Sequence, residues 1–125
     1  MPAEPIAPGL PDRQVIQAYG DGRFRISGAV HTTPVIVTIY RVFPWPVANL
    51  SALTLESLTP ARDAGIDILL LGCGATAAMM PAALKDALRR EGITLDAMGT
   101  GAACRTFNVL SAEARRVAAA LFPVS

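Results

Sequence analysis

The spacing of apolar positions along this chain switches between a period of two and a period of 3.6. Residues 23–27 alternate, with Phe24 and Ile26 set against Arg23, Arg25 and Ser27, as in a half-buried strand. A short apolar piece at 15–19 precedes them, and Gly20-Asp21-Gly22 between the two is a turn signal. Together they predict an N-terminal β-hairpin closed by Gly28. Residues 35–41 (VIVTIYR) are rich in β-branched side chains and predict a longer strand, entered through Pro34. Residues 67–71 supply an apolar run ended by Gly72, the mark of a central strand covered on both faces. In residues 81–90 the period lengthens. Ala83, Leu84, Ala87 and Leu88 share one helical stripe, Lys85, Asp86, Arg89 and Arg90 the other, with Pro81 in the first turn and Gly92 as the stop. Residues 93–97 predict the next strand. A strand–helix–strand unit of this length closes as a right-handed crossover, so its two strands are parallel. Residues 102–113 predict the last helix, with Phe107 and Leu110 one turn apart. The unbroken apolar run at 117–122 after Arg115-Arg116 predicts a final strand rather than a longer helix.

Prolines interrupt this pattern in three places. Pro2, Pro5, Pro8 and Pro11 recur every third residue and predict an extended arm over residues 1–14, either a mobile leader or a polyproline ligand for a partner. Phe43-Pro44-Trp45-Pro46-Val47 is excluded from a central strand and belongs on an edge or in a loop. Its Trp45 either folds back as a plug over the core or serves as a partner-binding anchor. Residues 51–64 predict a short helix broken at Pro60, with Thr59 capping the second piece and Gly65 ending it.

With 125 residues, residues 15–125 form a single expected domain, large enough to bury roughly two thirds of its unfolded surface. A formal net charge of +1 gives no electrostatic case for nucleic acid or an anionic membrane as partner. No run reaches the ~18 apolar residues of a membrane-spanning helix, so direct membrane insertion is not expected. Residues 1–13 lack both the cationic and the apolar region of a signal peptide, and two cysteines make no disulfide scaffold. A cytoplasmic location is the expectation.

The stretches Tyr19-Gly20-Asp21-Gly22-Arg23-Phe24-Arg25-Ile26, Leu70-Leu71-Gly72-Cys73-Gly74 and Gly99-Thr100-Gly101-Ala102-Ala103-Cys104-Arg105-Thr106-Phe107-Asn108 carry a resemblance. They are similar to a small-domain family of undefined activity that includes uncharacterised bacterial and archaeal proteins and the mitochondrial complex I assembly factor 3. The resemblance covers roughly residues 15–123. It implies an α/β fold of three layers in a single domain, with a mixed central sheet whose last strand runs antiparallel to its neighbours, an N-terminal hairpin and a strand–helix–strand core. It brings no catalytic residues and no cofactor. It implies an unidentified protein partner, with a membrane-associated respiratory assembly among the candidates. Where the family often ends its last helix on Gly, this chain has Ala114.

Candidate chemistry gathers at the two glycine-rich turns. Gly72-Cys73-Gly74-Ala75-Thr76-Ala77 satisfies the dinucleotide spacing G-x-G-x-x-[G/A], with Asp96 near the end of the next strand. The motif stands late in the chain with little sequence beyond it, so glycine for close packing is the preferred reading and no cofactor is expected. A broader reading is kept open. Both turns follow parallel strands and end at one rim, where Gly72, Cys73, Gly74, Thr76, Thr100, Arg105, Thr106 and Asn108 would cradle a small anion or a partner's carboxylate. Cys73 and Cys104 lie on these turns and would face each other, as reactive thiols, as a labile disulfide, or as small buried hydrophobes. His31 is expected in a loop, alone, and no metal site assembles around it. The sequence shows no acid–base pair or nucleophile set. It therefore favours an interaction or accessory protein, with a small-molecule or anion binder, enzymatic or not, as the alternative.

Overall fold

In the computed structural model, which describes residues 13–125, Asp21 and Gly22 take the left-handed backbone (φ 52° and 73°) that a two-residue hairpin turn requires. They join β1 (Ile16–Gly20) to β2 (Arg23–Ile26) in antiparallel register, as the alternation predicts. A second left-handed pair, Ser27 (φ 48°) and Gly28 (φ 87°), turns the chain again into β3 (Ala29–His31). The hairpin is thus a three-stranded meander in the order β1-β2-β3, and His31 sits in a strand, not a loop. Apart from Arg13 and Gln14, the expected arm lies outside the described residues. Those two are already bonded to the domain: Gln14 N–H donates to the Ile39 carbonyl at 2.7 Å, and the Arg13 guanidinium donates to the Ser111 carbonyl.

The larger sheet has five strands in the order β5-β4-β8-β6-β7. Its first strand, β4 (Val35–Val37), is shorter than the β-branched run predicts. Thr38 ends it, because its N–H donates to the Arg41 carbonyl while its hydroxyl accepts the Arg41 N–H, and this turn wins over propensity. The chain returns as β5 (Val42–Pro44), the outermost strand, paired only with β4, a position that tolerates a proline. Short 3₁₀ turns at Leu50–Ala52 and Glu56–Leu58 lead into α1 (Thr59–Arg62), which carries Pro60 in its first turn. Then come β6 (Ile68–Gly72), α2 (Ala82–Arg90), β7 (Thr94–Met98), α3 (Thr100–Ala112) and β8 (Val117–Leu121).

β6 and β7 pair in parallel, as the crossover rule demands. The final strand corrects the resemblance: β8 occupies the middle of the sheet, antiparallel to β4 but parallel to β6. Its alanines at 118, 119 and 120 are fully buried, with 118 and 120 facing one cluster and 119 the other. The sheet is therefore mixed, and it forms the middle of three layers. One face packs on α1, α2 and the proline-rich segment through Leu58, Ala61, Leu69, Leu71, Leu88 and Trp45. The other is covered by the meander and α3 side by side, with Phe24, Ile26, Ala103, Cys104 and Phe107 pointing inward.

Both helices that flank the glycine-rich turns differ in extent from the prediction. α3 begins at Thr100, two residues early, so the second turn is its first helical turn. α2 begins only at Ala82, and residues 73–81 form an irregular loop, because Pro81 takes an extended backbone (φ −56°, ψ 135°) before the helix.

The end of α3 carries a testable strain. Ala114 adopts φ 61°, and its N–H donates to the Ser111 carbonyl while Arg115 N–H donates to Leu110, the paired bonds of a Schellman stop. An L-residue in this conformation costs roughly 1–2 kcal/mol, part of which alanine recovers by restricting the unfolded chain. Ala114→Gly is expected to raise stability by about 0.5 kcal/mol, read as a higher midpoint in urea with an unchanged slope.

Candidate functional site

Gly72 and Met98 are register partners at the ends of parallel β6 and β7, so the two glycine-containing bends leave the sheet side by side. They do not leave an open cradle between them. Cys73 N–H donates to the Met98 carbonyl at 2.8 Å, and Thr100 N–H to the Gly74 carbonyl at 2.8 Å. The Thr100 hydroxyl, fully buried, accepts the Gly74 N–H at 2.9 Å and donates to the Phe122 carbonyl at 2.7 Å. Phe122 N–H in turn donates to the Gly72 carbonyl at 3.0 Å. One side chain thereby ties together the ends of β6, β7 and β8. Gly72 is required by packing: a Cβ there would stand 2.8 Å from Leu121 Cδ2 and 3.1 Å from the Thr100 Cα. The dinucleotide spacing is formal only, since the helix that should open over these glycines starts at Ala82.

The remaining sequence candidates separate. Thr76 is exposed on the 73–81 loop. Arg105, Thr106 and Asn108 lie along the body of α3, each bonded to a structural neighbour. Arg105 Nη1 donates to the Tyr19 hydroxyl at 2.7 Å, and the Thr106 hydroxyl approaches Met98 Sδ at 3.8 Å. Asn108 acts as a peptide mimic for β1, donating to the Ile16 carbonyl at 2.8 Å and accepting its N–H at 3.0 Å. Tyr19 also covers the first turn of α3, where a Cβ at Gly101 would fall 2.6 Å from its hydroxyl. What survives at the rim is a shallow recess of about 710 Å³ on the other side of the bends, bounded by Pro34, Asn49, Leu50, Cys73, Gly74 and Phe122. Of the expected ligand set, Cys73 and Gly74 line it.

The two cysteines do not meet. Cys73 is half-buried against the apolar cluster on one face of the sheet, while Cys104 belongs to the cluster on the other. Burial pushes the Cys104 thiol up to about 12, and the nearby Arg105 charge offsets this only in part. Native protein is expected to consume one equivalent of iodoacetamide at Cys73, with Cys104 reacting only after unfolding; fast native loss of two thiols would contradict this placement.

Trp45 corrects the docking expectation. Its side chain is 1% exposed and packs at a tilt of 42° against Phe122, ring centroids 4.7 Å apart, so it serves as the plug. Its indole N–H has no hydrogen-bond partner among the described residues. The sequence reading missed a different surface feature. In the 73–83 segment, Ala75, Ala77, Met79, Pro81, Ala82 and Ala83 are all exposed, Met79 at 97%. The helical stripe predicted for residues 81–90 took in Ala83, which is exposed, and left the apolar residues before Pro81 without a reading.

Among the described residues no helix is long and apolar enough to cross a membrane. A family model described as protein of unknown function (DUF498/DUF598) matches residues 16–122. An uncharacterised protein of Rhodobacter capsulatus is 38% identical over 121 residues, which is 96% of this chain and 93% of that protein. The NADH dehydrogenase (ubiquinone) 1 alpha subcomplex assembly factor 3 of Danio rerio is 35% identical over 87% of this chain, which spans 64% of the assembly factor's length. Among solved structures, a Bartonella henselae protein described as an outer membrane protein shares 36% identity at a TM-score of 0.83, over 93% of this chain and 99% of its own. A Mth938-like domain of Bordetella pertussis, 24% identical over 98% of this chain and 91% of its own, shares the fold at a TM-score of 0.81.

Proposed function

This chain belongs to the DUF498/DUF598 family of proteins of unknown function, and from that membership we propose that it is a non-enzymatic accessory protein that binds another protein during assembly of a larger complex. The observation that carries this reading is the exposed apolar segment around Met79, set at the rim where β6 and β7 end. Met79 at 97% exposure among exposed alanines and Pro81 supports a surface that a partner covers. Kinship with a NADH dehydrogenase assembly factor supports one class of partner, a subunit or intermediate of a membrane-associated respiratory assembly. The protein would meet it from the cytoplasmic side, without inserting into the bilayer. The alternative, an anion held between the 72–76 and 98–106 turns, has weaker support, because Thr100 and Asn108 already spend their polar groups inside the fold and Arg105 reaches toward Tyr19 on β1.

The test is made in the native host. Deleting the gene is expected to slow the appearance of mature NADH dehydrogenase on native gels. The tagged chain is expected to capture a subunit of that enzyme, and Met79→Asp to lose the subunit without changing the chain's thermal midpoint. Normal assembly kinetics in the deletion strain, with no respiratory subunit captured, would reject the proposal.

A further inference from the structure

A second cavity lies at the opposite end of the five-stranded sheet from the glycine bends, and no sequence candidate pointed to it. It is a cleft of about 740 Å³, within the range of roughly 300–1,000 Å³ typical of small-ligand sites. Three connections form it: the β4–β5 turn, the exit from α1 before β6, and the Schellman stop between α3 and β8. Its wall is apolar and aromatic, with Ile39, Tyr40, Phe43, Pro60 and Ile66.

Four arginines stand around this wall: Arg13, Arg41, Arg115 and Arg116. Two of them are committed elsewhere. Arg13 donates to the Ser111 carbonyl, and Arg116 forms a forked pair with Asp67 at 2.7 and 3.1 Å. Arg41 and Arg115 are exposed and make no side-chain hydrogen bond or ion pair with any described residue. Asp63 is the one acid of the lining. In a chain whose formal net charge is only +1, this gathering of guanidinium groups over an apolar wall is a local feature and not a by-product of composition. Planar, weakly hydrated guanidinium groups match the paired oxygens of a carboxylate or a phosphate borne on an apolar body. The Asp63 charge beside them disfavours a second negative charge, so a monoanion fits better than a dianion.

We propose that this cleft binds a carboxylate carried on an aromatic or branched apolar body, with Arg41 and Arg115 holding the carboxylate and Phe43, Tyr40 and Ile66 receiving the apolar part. Such a group is offered either by a free organic acid or by the C-terminus of a polypeptide that ends in an apolar residue. The proposal is independent of the accessory role argued above.

Titration of the full chain by two-dimensional NMR with four probes tests it: 2-naphthoate, 2-naphthamide, and acetyl-Ala-Ala-Phe as the free acid and as the amide. At least one acid is expected to saturate, moving amides in residues 38–43, 64–66 and 114–116. The matching amide should bind roughly tenfold more weakly or worse. Arg41→Ala and Arg115→Ala should each weaken the acid about five- to tenfold with unchanged spectra elsewhere. Arg90→Ala, which removes an exposed charge on α2, should leave binding unchanged. Tighter binding by the peptide acid identifies a polypeptide terminus as the source, and tighter binding by naphthoate a free acid. The proposal is overturned by an absence of saturation up to about 10 mM for both acids. It is equally overturned by amides that bind as well as acids, by arginine variants with unaltered affinity, or by shifts confined to the Cys73–Gly74 rim.

Discussion

Replacing Trp45 with alanine is expected to lower folding stability by about 3–5 kcal/mol, enough to leave a marginal domain substantially unfolded. The indole is 1% exposed and stacked at a tilt on Phe122, which follows the middle strand of the sheet. Removing it opens a cavity between the proline-rich segment and the sheet that the stiff Pro44-Trp45-Pro46 backbone cannot collapse to fill. Trp45→Phe should behave differently. It loses some volume, but it also removes an indole N–H that finds no partner among the described residues, and an unpaired buried donor itself costs roughly 1–3 kcal/mol. The net loss for phenylalanine is expected to stay near 1 kcal/mol. Urea denaturation followed by far-ultraviolet circular dichroism separates the two variants. A Trp45→Ala protein that keeps the wild-type midpoint yet loses a binding partner would return Trp45 to the role of surface anchor.

The fate of Trp45 shows where the sequence was readable and where it was not. Proline on both sides of it says what the backbone cannot do, and the segment indeed lies along and beyond an outer strand. The same prolines are silent about which way the side chain turns. Periodic segments were legible for the same reason that prolines were: a local rule decides them. Phe24 and Ile26 alternate and are buried, Leu69 and Leu71 face one layer and Leu70 the other, and the strand–helix–strand crossover gives parallel β6 and β7. Pairing partners are another matter. No local pattern reveals that the alanine-rich strand after Arg116 inserts between β4 and β6, because the choice rests on which edges remain free once the hairpins form. Thr38 is an instance of the converse failure, in which two hydrogen bonds to Arg41 end a strand that β-propensity extends.

The candidate rim was half legible. Placing both glycine bends at one end of the sheet follows from parallel strands, and the register of Gly72 with Met98 agrees. What spacing could not show is that helix α3 starts at Thr100 rather than Ala102. Those two residues convert an expected loop of free amides into a first helical turn that is packed under Tyr19 and bonded to Gly74. Arg105 and Asn108 move with the helix onto the meander side, bonded to Tyr19 and Ile16, while Thr106 turns its hydroxyl toward Met98 at the end of β7. The arginine-lined cleft at the other end was invisible for a different reason: its four cations come from segments spread between Arg13 and Arg116, and only the fold brings them together.

Thr100→Val should therefore destabilise the domain by about 2–4 kcal/mol although it barely changes volume. Valine keeps the shape and deletes a hydroxyl that serves two backbone groups, leaving the buried Phe122 carbonyl and the part-buried Gly74 N–H without their partner. Thr100→Ser, which retains the hydroxyl and loses one methyl group, should cost only about 1 kcal/mol. Stability alone would not distinguish a lost tie from general loosening, so hydrogen exchange supplies the second reading. In Thr100→Val the Gly74 amide should exchange far faster, while amides in the β1–β2 hairpin keep protection set by the global stability. A valine variant within about 0.5 kcal/mol of wild type would mean that the strand ends of β6, β7 and β8 hold together without this side chain. The exposed loop around Met79 begins one residue beyond the Gly74 amide that Thr100 secures. A partner that docks on that loop should lose affinity for Thr100→Val and keep it for Thr100→Ser, in proportion to how firmly the loop's base is pinned.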